Sequence, residues 1–297
     1  HLSLRRQRQM CIRDSYNALL VEEPEAHLHP QYQNTFFEYL NELQSKGLQV
    51  FVTSHSPTIT AKSDVNNISI LQRKQSIIQS FSFDELSEDD YPKESKRHLR
   101  KFLDTTKAQL FFANGVLLVE GVAEAIIIPI LAKKFLTEKI DLCKSGIELV
   151  NIGGVAFNHF GLLFNNDDER KRLLSKCAII TDSDPKDNGD ISDRAQKAKD
   201  LEKHNLKVCL ATHTLEHDLF EQSERNKAIM RDVYRKIHAQ TDDLSGDFNV
   251  STLMKKLKSN KDKAEFALQL CDRLETEVAF DVPDYIKDAI LFIAPSE

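Results

Sequence analysis

Short apolar segments alternate with amphipathic segments through the second half of this sequence, and that alternation restricts the fold more than any other feature. Four segments read as strands: GVLLVEG from Gly115, GIELVNIGG from Gly146, KCAIITDSD from Lys176 and LKVCLATH from Leu206. Between them lie stretches with helical spacing, such as EAIIIPILAKKF from Glu124. Because strands that alternate with helices form a mostly parallel sheet covered by helices, we predict an α/β fold here.

The first part of the chain shows a similar alternation. NALLVE and LQVFVTSH read as strands on either side of the helical segment PQYQNTFFEYLNELQSKG, and NISILQRKQSIIQSFSF reads as two strands joined by a turn. The run from Asp84 to Thr106 is acidic first and then basic, which is typical of a linker with a connecting helix. Beyond about Phe220 the sequence predicts mainly helices.

The composition is that of an ordinary globular protein. The chain has 297 residues, of which 41% are hydrophobic and 29% charged, and its net charge is −6. This length allows two domains with separate cores, and a local basic patch can still bind nucleic acid. The five cysteines form no C-x-x-C pair, which favours a reducing cytoplasm. The longest apolar stretch is too short to span a bilayer, so we expect no membrane segment.

Two acidic residues follow the first strand and form half of an ATP-hydrolysing site. In ALLVEEPEAHLHP, Glu22 and Glu23 come at the end of the strand, where α/β proteins bind ligands. Carboxylates there can hold Mg²⁺ and polarise water. His55 in FVTSHSP stands at the end of the next strand. No stretch matches the phosphate-binding pattern G-x-x-x-x-G-K-S/T, so we expect this chain alone to bind ATP poorly.

A second set of acids follows the later strands. Its members are Glu120, Glu124, Asp182, Asp184, Glu216 and, behind it, Asp218. We expect these residues at three strand ends, which meet at one edge of a parallel sheet. Clustered carboxylates repel one another unless cations bind, and oxygen-only ligands favour Mg²⁺ or Mn²⁺ over Zn²⁺. Two such ions would bind an attacking water and the leaving oxygen of a phosphodiester. The alternative for TDSD alone is a polar loop.

Both sets of motifs resemble known families. VEEPEAHLHP followed by TSHSP resembles the Walker B, D-loop and switch-histidine segments of ABC-type ATPases, particularly those related to SMC and RecF proteins. The order E-G, I-G-G, D-x-D resembles the TOPRIM domain of topoisomerases, DnaG-type primases and several nucleases. An ABC-type ATPase followed directly by TOPRIM resembles the overcoming-lysogenisation-defect (OLD) family of endonucleases, over roughly residues 16 to 275.

The resemblance implies roles for individual residues. In the ATPase remnant, Glu22 would be the Mg²⁺-side carboxylate, Glu23 the catalytic base and His55 the γ-phosphate sensor. In the TOPRIM domain, Lys263 would stabilise charge on the phosphate, although Lys261 is two residues away and an ordinary surface lysine remains an alternative. The metal ligands would be Glu120, Glu124, Asp182, Asp184 and Glu216.

The resemblance also implies a domain organisation. We expect a non-native or disordered leader, a partial ABC-type ATPase lobe, a linker with a connecting helix, a TOPRIM domain and a helical C-terminal region. Their predicted bounds are residues 1–15, 16–83, 84–106, 107–220 and 221–297. We further expect the chain to be the C-terminal part of a longer protein.

The functional prediction is a DNA endonuclease that uses two Mg²⁺ or Mn²⁺ ions and is regulated by ATP in the full-length protein. The resemblance implies homo-oligomers formed through the ATPase domain, a cytoplasmic location and a role in phage defence. The alternative is an SMC/RecF-like, ATP-switched DNA-binding protein whose TOPRIM domain does not cleave. Strand passage or priming is a third alternative, although the six tyrosines occur in no recognisable strand-breakage motif.

Overall fold

The computed structural model describes residues 17–154, 157–185, 190–238 and 248–295, apart from the side chain of His27. Contacts divide these residues into two units. The first comprises 17–64 and Leu103–Phe112, and the second comprises Val65–Phe102 and the described residues from Ala113 onward. The predicted leader, residues 1–15, lies outside the described residues. The domain bounds given above stay predictions.

Two separate pairs of strands lie in the first part of the chain. The elements are β1 (Ala18–Glu22), α1 (Pro30–Ser45), β2 (Gln49–Thr53), α2 (Pro57–Lys62), β3 (Ser69–Lys74), β4 (Ile77–Ser82), α3 (Lys93–Phe102) and α4 (Thr105–Ala108). β1 and β2 are parallel, and Glu22 lies opposite Thr53. β3 and β4 form an antiparallel hairpin, which belongs to the second unit. The strands predicted from the sequence are therefore present.

From Gly115 onward, strands alternate with helices and a helical region follows. The elements are β5 (Gly115–Val119), α5 (Val122–Ile130), β6 (Ile147–Asn151), α6 (Phe157–Gly161), β7 (Lys176–Asp182), α7 (Asp193–Lys199), β8 (Leu206–Ala211), α8 (Leu215–Glu221), α9 (Glu224–Ile237), α10 (Val250–Lys256), α11 (Asn260–Thr276) and α12 (Asp284–Ile293). The predicted α/β fold is confirmed. Among the described helices, none is both long and apolar enough to cross a membrane.

The four later strands form one parallel sheet in the order β6-β5-β7-β8. All five residues of β5 are buried, as expected for a central strand covered on both faces. Its last residue, Val119, pairs with Asn151 of β6 on one side and with Ile180 of β7 on the other. This register brings the chain after β5 beside the carboxyl end of β7, so the acids that follow these strands lie at one edge.

The core of the second unit connects the sheet to the C-terminal helices. Leu117 and Val119 of β5 belong to the same buried cluster as Ile127 of α5 and Phe266 of α11. α5 packs along α11, and α12 packs against β7 and β8. The C-terminal helices therefore complete the core beside the sheet, and they bring their own side chains to the same part of the unit.

The sequence prediction for Glu216 is wrong in one respect. We expected this residue where the strand starting at Leu206 leads into a turn, but β8 ends at Ala211 and Glu216 lies in the first turn of α8. The side chain of Thr214 accepts a hydrogen bond from the backbone N–H of His217, which caps the helix. A threonine cap favours helix initiation at this point and ends the extended segment earlier than apolar patterning suggests.

Truncation of Phe266 should destabilise the second unit strongly. Its side chain is only 1% exposed within the cluster that joins α11 to the sheet. We expect Phe266→Ala to lower the free energy of unfolding by about 3–5 kcal/mol, because the substitution leaves a cavity in a closely packed core. Urea denaturation followed by circular dichroism would measure this. Leu268→Ala, at a position of the same helix that is 50% exposed, should change it by less than about 0.5 kcal/mol.

Candidate active site

The carboxylate of Glu120, which follows β5, is held by hydrogen bonds from the end of the neighbouring strand β7. Its Oε1 accepts a hydrogen bond from the Thr181 hydroxyl and another, at 3.3 Å, from the backbone N–H of Asp182. Both donors belong to the last two residues of β7. The parallel pairing of the two strands therefore fixes Glu120 next to Asp182, as the sequence predicted for acids at neighbouring strand ends.

The NIGG segment forms a turn that contacts the end of β5. Gly153 and Gly154 have φ angles of 66° and 122°, which side-chain-bearing residues rarely adopt. The N–H of Gly154 donates to the backbone oxygen of Glu120 at 3.1 Å, and the N–H of Gly153 donates to the Asn151 side chain at 2.9 Å. The two glycines thus allow the loop after β6 to hold the backbone at Glu120.

Glu124 projects from the first turn of α5 into a space that Gly121 leaves open. A Cβ atom at Gly121 would lie 3.0 Å from Oε2 of Glu124. Burial raises the pKa of Glu124, and the neighbouring charge of Glu216 raises it further. A partly buried acid beside other acids is stabilised by any cation that binds between them.

Asp182 is the most perturbed acid of the group. Burial, followed by the charges of Glu120 and Glu124, raises its pKa to about 8. Its proton is therefore retained at neutral pH when no cation is bound. A bound cation would remove this penalty and ionise the carboxyl group, so metal binding is expected to release a proton.

Asp184 is connected to the other acids by an ion pair with Arg194. Its φ angle is 42°, in the left-handed region, and its side chain is half exposed. Nη2 of Arg194, in the first turn of α7, lies 2.9 Å from Oδ2 of Asp184 and 2.9 Å from Oε1 of Glu120. Arg194 thereby connects the acid after β5 to the second acid of the D-x-D motif.

Lys263 contacts the acids from the C-terminal helices. Its Nζ lies 3.3 Å from Oε2 of Glu216, whose side chain is 2% exposed. Burial alone would lower the pKa of Lys263, but the charges of Glu216 and Asp182 outweigh it and raise the pKa. Lys261, the other candidate, is exposed. A capping box between Ser259 and Asp262 fixes the start of α11 and hence the direction in which Lys263 projects.

Asp218 holds the loop that precedes Glu216. Its carboxylate accepts hydrogen bonds from the backbone N–H groups of Thr212 and His213, and Oδ1 lies 3.2 Å from Nδ1 of His217. The potential ligand atoms of His213, His217 and Asp218 lie within 4.8 Å of one another. These hydrogen bonds identify Asp218 as a residue that positions the start of α8 and, with it, Glu216.

The donor set fits hard divalent cations. All five candidate ligands offer carboxylate oxygens, which Mg²⁺ and Mn²⁺ prefer. Tyr285 of α12 adds a buried hydroxyl that has no hydrogen-bond partner among the described residues. Burial and then the charges of Asp218 and Asp182 raise its pKa well above the ordinary value. A neutral phenol beside acids can donate a hydrogen bond to one of them or to a bound ligand.

Stability of the metal-free protein should depend on pH through Asp182. Its pKa is about 8 in the fold and near the ordinary 3.8 when unfolded, so between these values unfolding releases a proton. The free energy of unfolding should therefore fall as pH rises from about 4 to 8, by up to about 1.4 kcal/mol per pH unit. Denaturation in EDTA at several pH values would measure the slope. Asp182→Asn should flatten it, and an unchanged slope would contradict the assignment.

In the first unit, the structure brings together two of the three predicted ATPase residues. Glu22 ends β1 with an exposed side chain, whereas Oε1 of Glu23 lies 3.5 Å from Nε2 of His55. Glu25, which the sequence analysis did not single out, accepts hydrogen bonds from the Ser54 hydroxyl, at 2.8 Å, and from the backbone N–H of His55. Glu25 thus fixes the loop that carries the histidine.

Two residues of the second unit were also missed. Thr181 lies directly before the D-x-D motif, and alternation along β7 would have placed it on the side of Glu120. Arg194 contacts residues 10 and 74 positions away in the chain, and no spacing rule indicates such a contact. Both residues hold Glu120 in place.

Comparison with known proteins gives two domain matches. Residues 111–184 match the family described as "Overcoming lysogenization defect protein-like, TOPRIM domain". Residues 2–60 match an AAA ATPase domain. The second match begins within residues 1–15, which we predicted to be a leader, and the nature of these residues stays a prediction.

Two curated relatives align with different shares of this chain. The Old nuclease of Escherichia phage P2 is 28% identical over 168 residues, covering 56% of this chain and 28% of the relative. Endonuclease GajA of Bacillus cereus (strain HuB5-5) is 24% identical over 345 aligned positions, covering 94% of this chain and 48% of the relative. The chain thus spans less than half the length of either relative.

A solved structure that resembles part of the chain is the C-terminal region of the Burkholderia pseudomallei OLD protein. It is 23% identical, with a TM-score of 0.45, and the match covers 61% of this chain and 97% of that one. The two domain matches occur in the order that the sequence motifs predicted, and the curated relatives are OLD nucleases and a GajA endonuclease. Residues 111–184 therefore match an OLD-like TOPRIM domain, an AAA-type ATPase match precedes them, and the relatives found are nucleases with OLD and GajA names.

Proposed function

We propose that this chain hydrolyses phosphodiester bonds of DNA as a Mg²⁺- or Mn²⁺-dependent endonuclease. The observation that carries the proposal is the convergence of carboxylates from separate elements at one edge of the parallel sheet. Glu120 follows β5, Asp182 ends β7, and Glu216 comes from α8 with Lys263 beside it. The nuclease names of the curated relatives support the same class of reaction.

The cation ligands in this proposal are the five acids that the sequence analysis selected. They are Glu120, Glu124, Asp182, Asp184 and Glu216. When bound, two divalent cations would supply Lewis-acid activation of the attacking water and of the leaving oxygen. Hydrogen bonds hold these acids in place, since Glu120 accepts one from the Thr181 hydroxyl and one from the backbone N–H of Asp182. Asp218 fixes the helix start that carries Glu216.

Lys263 supplies a positive charge that stays with the protein through the reaction. The adjacent acids raise the pKa of Lys263, so its ammonium group stays protonated at neutral pH. A fixed cation next to Glu216 can stabilise negative charge that develops on a phosphate oxygen. Its position in the first turn of α11 keeps that charge at the sheet edge.

The N-terminal ATPase sequence has a regulatory role in this proposal. In the full-length protein, ATP would act through Glu22, Glu23 and His55. A phosphate-binding loop, whose sequence pattern does not occur in this chain, would complete that site. We further propose homo-oligomers formed through the ATPase domain, a cytoplasmic location and a role in phage defence, all by resemblance to the family. The predicted domain bounds, with the TOPRIM domain at residues 107–220, form part of the same proposal.

Nicking of a supercoiled plasmid distinguishes this function from the alternative. The chain is incubated with plasmid in Mg²⁺, in Mn²⁺ and in EDTA, and the products are separated by gel electrophoresis. We expect nicked and linear DNA with either metal and none with EDTA. If DNA is bound in the presence of ATP but stays intact with every metal, the chain is an ATP-switched DNA-binding protein and the nuclease proposal is wrong.

A further inference from the structure

Arg194 bridges two of the candidate metal ligands with a single nitrogen atom. Nη2 lies 2.9 Å from Oε1 of Glu120 and 2.9 Å from Oδ2 of Asp184. These two acids follow different strands, and the arginine comes from a third element, α7. A positive charge therefore already lies between the two carboxylates that a divalent cation would have to approach.

Only part of the guanidinium is used in this contact. Nε of Arg194 is buried and has no hydrogen-bond partner among the described residues, while the side chain as a whole is 34% exposed. A buried donor without a partner costs free energy, so the arrangement is not the most stable that an arginine can reach. A side chain with partial solvent access can move away without unfolding of its helix.

The charge on Arg194 cannot be removed by deprotonation. A guanidinium stays protonated at every pH at which proteins are stable, so only another cation or a movement of the side chain can replace it. Asp184, beside the guanidinium, has a backbone in the left-handed region, with a φ angle of 42°. Glu120 is held by Thr181 and by the N–H of Asp182. The two carboxylates are thus fixed around the place that the guanidinium nitrogen occupies.

We propose that Arg194 is a positioning residue that holds Glu120 and Asp184 in place and competes with a divalent cation for the position between them. The inference rests on the proposed metal dependence. Metal binding then requires displacement of the guanidinium, which lowers the affinity for the cation. The same contact keeps the acids from repelling each other before the cation arrives.

Mn²⁺ binding to the metal-free chain tests this directly. Free Mn²⁺ is measured by electron paramagnetic resonance during titration of the parent chain, Arg194→Gln and Arg225→Gln. Arg225 is a matched control, because it is also the second residue of its helix and forms an ion pair with Asp281, at 3.3 Å. Urea denaturation in EDTA shows whether each variant folds.

Arg194→Gln is expected to bind Mn²⁺ roughly tenfold more tightly than the parent, and Arg225→Gln the same as the parent. Arg194→Lys, which keeps the charge on a smaller donor group, should tighten binding by a smaller factor and serves if Arg194→Gln does not fold. Tighter binding by Arg194→Gln when the parent binds too weakly to measure would also support the proposal.

Two results would overturn the inference, and they have different meanings. If the parent binds Mn²⁺ and Arg194→Gln binds equally or more weakly, the arginine does not compete with the cation, and the proposed metal dependence still stands. A loss of stability without tighter binding belongs to this first result, because it indicates a purely structural ion pair. If neither protein binds Mn²⁺, both the inference and the proposed function fail.

Discussion

Asp182→Asn is expected to lower the rate of plasmid nicking in Mn²⁺ on the order of a thousandfold. The substitution keeps the size of the side chain and removes the charge that would hold a cation. In the metal-free fold Asp182 has a pKa of about 8, so the neutral amide replaces a group that is already largely protonated at neutral pH. The variant should therefore fold normally and fail only when the cation has to bind.

Initial nicking rates at fixed protein and Mn²⁺ concentrations measure the effect. Asp200→Asn serves as the matched control, because Asp200 is exposed and its carboxylate accepts a hydrogen bond from Gln196 of the same segment. We expect the control to cleave at the parent rate. Equal rates for Asp182→Asn and Asp200→Asn would remove Asp182 from the site.

Lys263→Met should lower the nicking rate by about 10²–10³-fold, the loss that follows removal of one group that stabilises transition-state charge. Methionine keeps most of the volume and the unbranched shape of lysine, so packing of α11 should survive. The substitution leaves the 2%-exposed carboxylate of Glu216 without its cation. We therefore also expect the unfolding midpoint of Lys263→Met in EDTA to be lower than that of the parent.

Lys261→Met provides the comparison, because Lys261 lies two residues earlier and is exposed. Its rate and unfolding midpoint should match those of the parent. The opposite pattern, with Lys261→Met impaired and Lys263→Met active, would transfer the role to Lys261. A loss of activity in both variants to the same degree would indicate a general effect of helix charge on DNA binding.

Much of the fold follows from the sequence because the strands are short, apolar and separated by helical segments. β5 and β7 are buried almost throughout, and a strand covered on both faces must be apolar at consecutive positions. The acids after such strands are then the first polar groups at the sheet edge. The sequence alone therefore predicts that Glu120 and Asp182 lie close together, and in the structure the N–H of Asp182 donates to Glu120.

Other features depend on tertiary contacts that local patterns do not encode. The order of the strands, with β5 between β6 and β7, is a property of the packed sheet. The choice between Lys261 and Lys263 depends on the direction in which α11 leaves its capping box. Glu216 was expected after a strand, whereas the Thr214 cap places it in a helix. Arg194 reaches Glu120 from a distant helix, and nothing near it in the sequence indicates this.

The acids that follow β1 resemble part of an ATPase site and are not part of the proposed nuclease site. Glu23 and His55 lie side by side, as expected for neighbouring segments of an ATPase, and Glu25 supports the histidine loop. The described residues, however, include no phosphate-binding motif to face them. Glu23 and His55 therefore stand apart from the acids to which we assign cleavage in the proposed function.

In the proposed function, cleavage takes place at the acids after β5 and β7 and does not use the pair after β1. Nicking time courses in Mn²⁺ for the parent, Asp182→Asn and Glu23→Gln separate the two sets of acids. We expect Asp182→Asn to lose nearly all activity and Glu23→Gln to cleave at the parent rate. Loss of cleavage in Glu23→Gln with normal activity in Asp182→Asn would contradict this assignment.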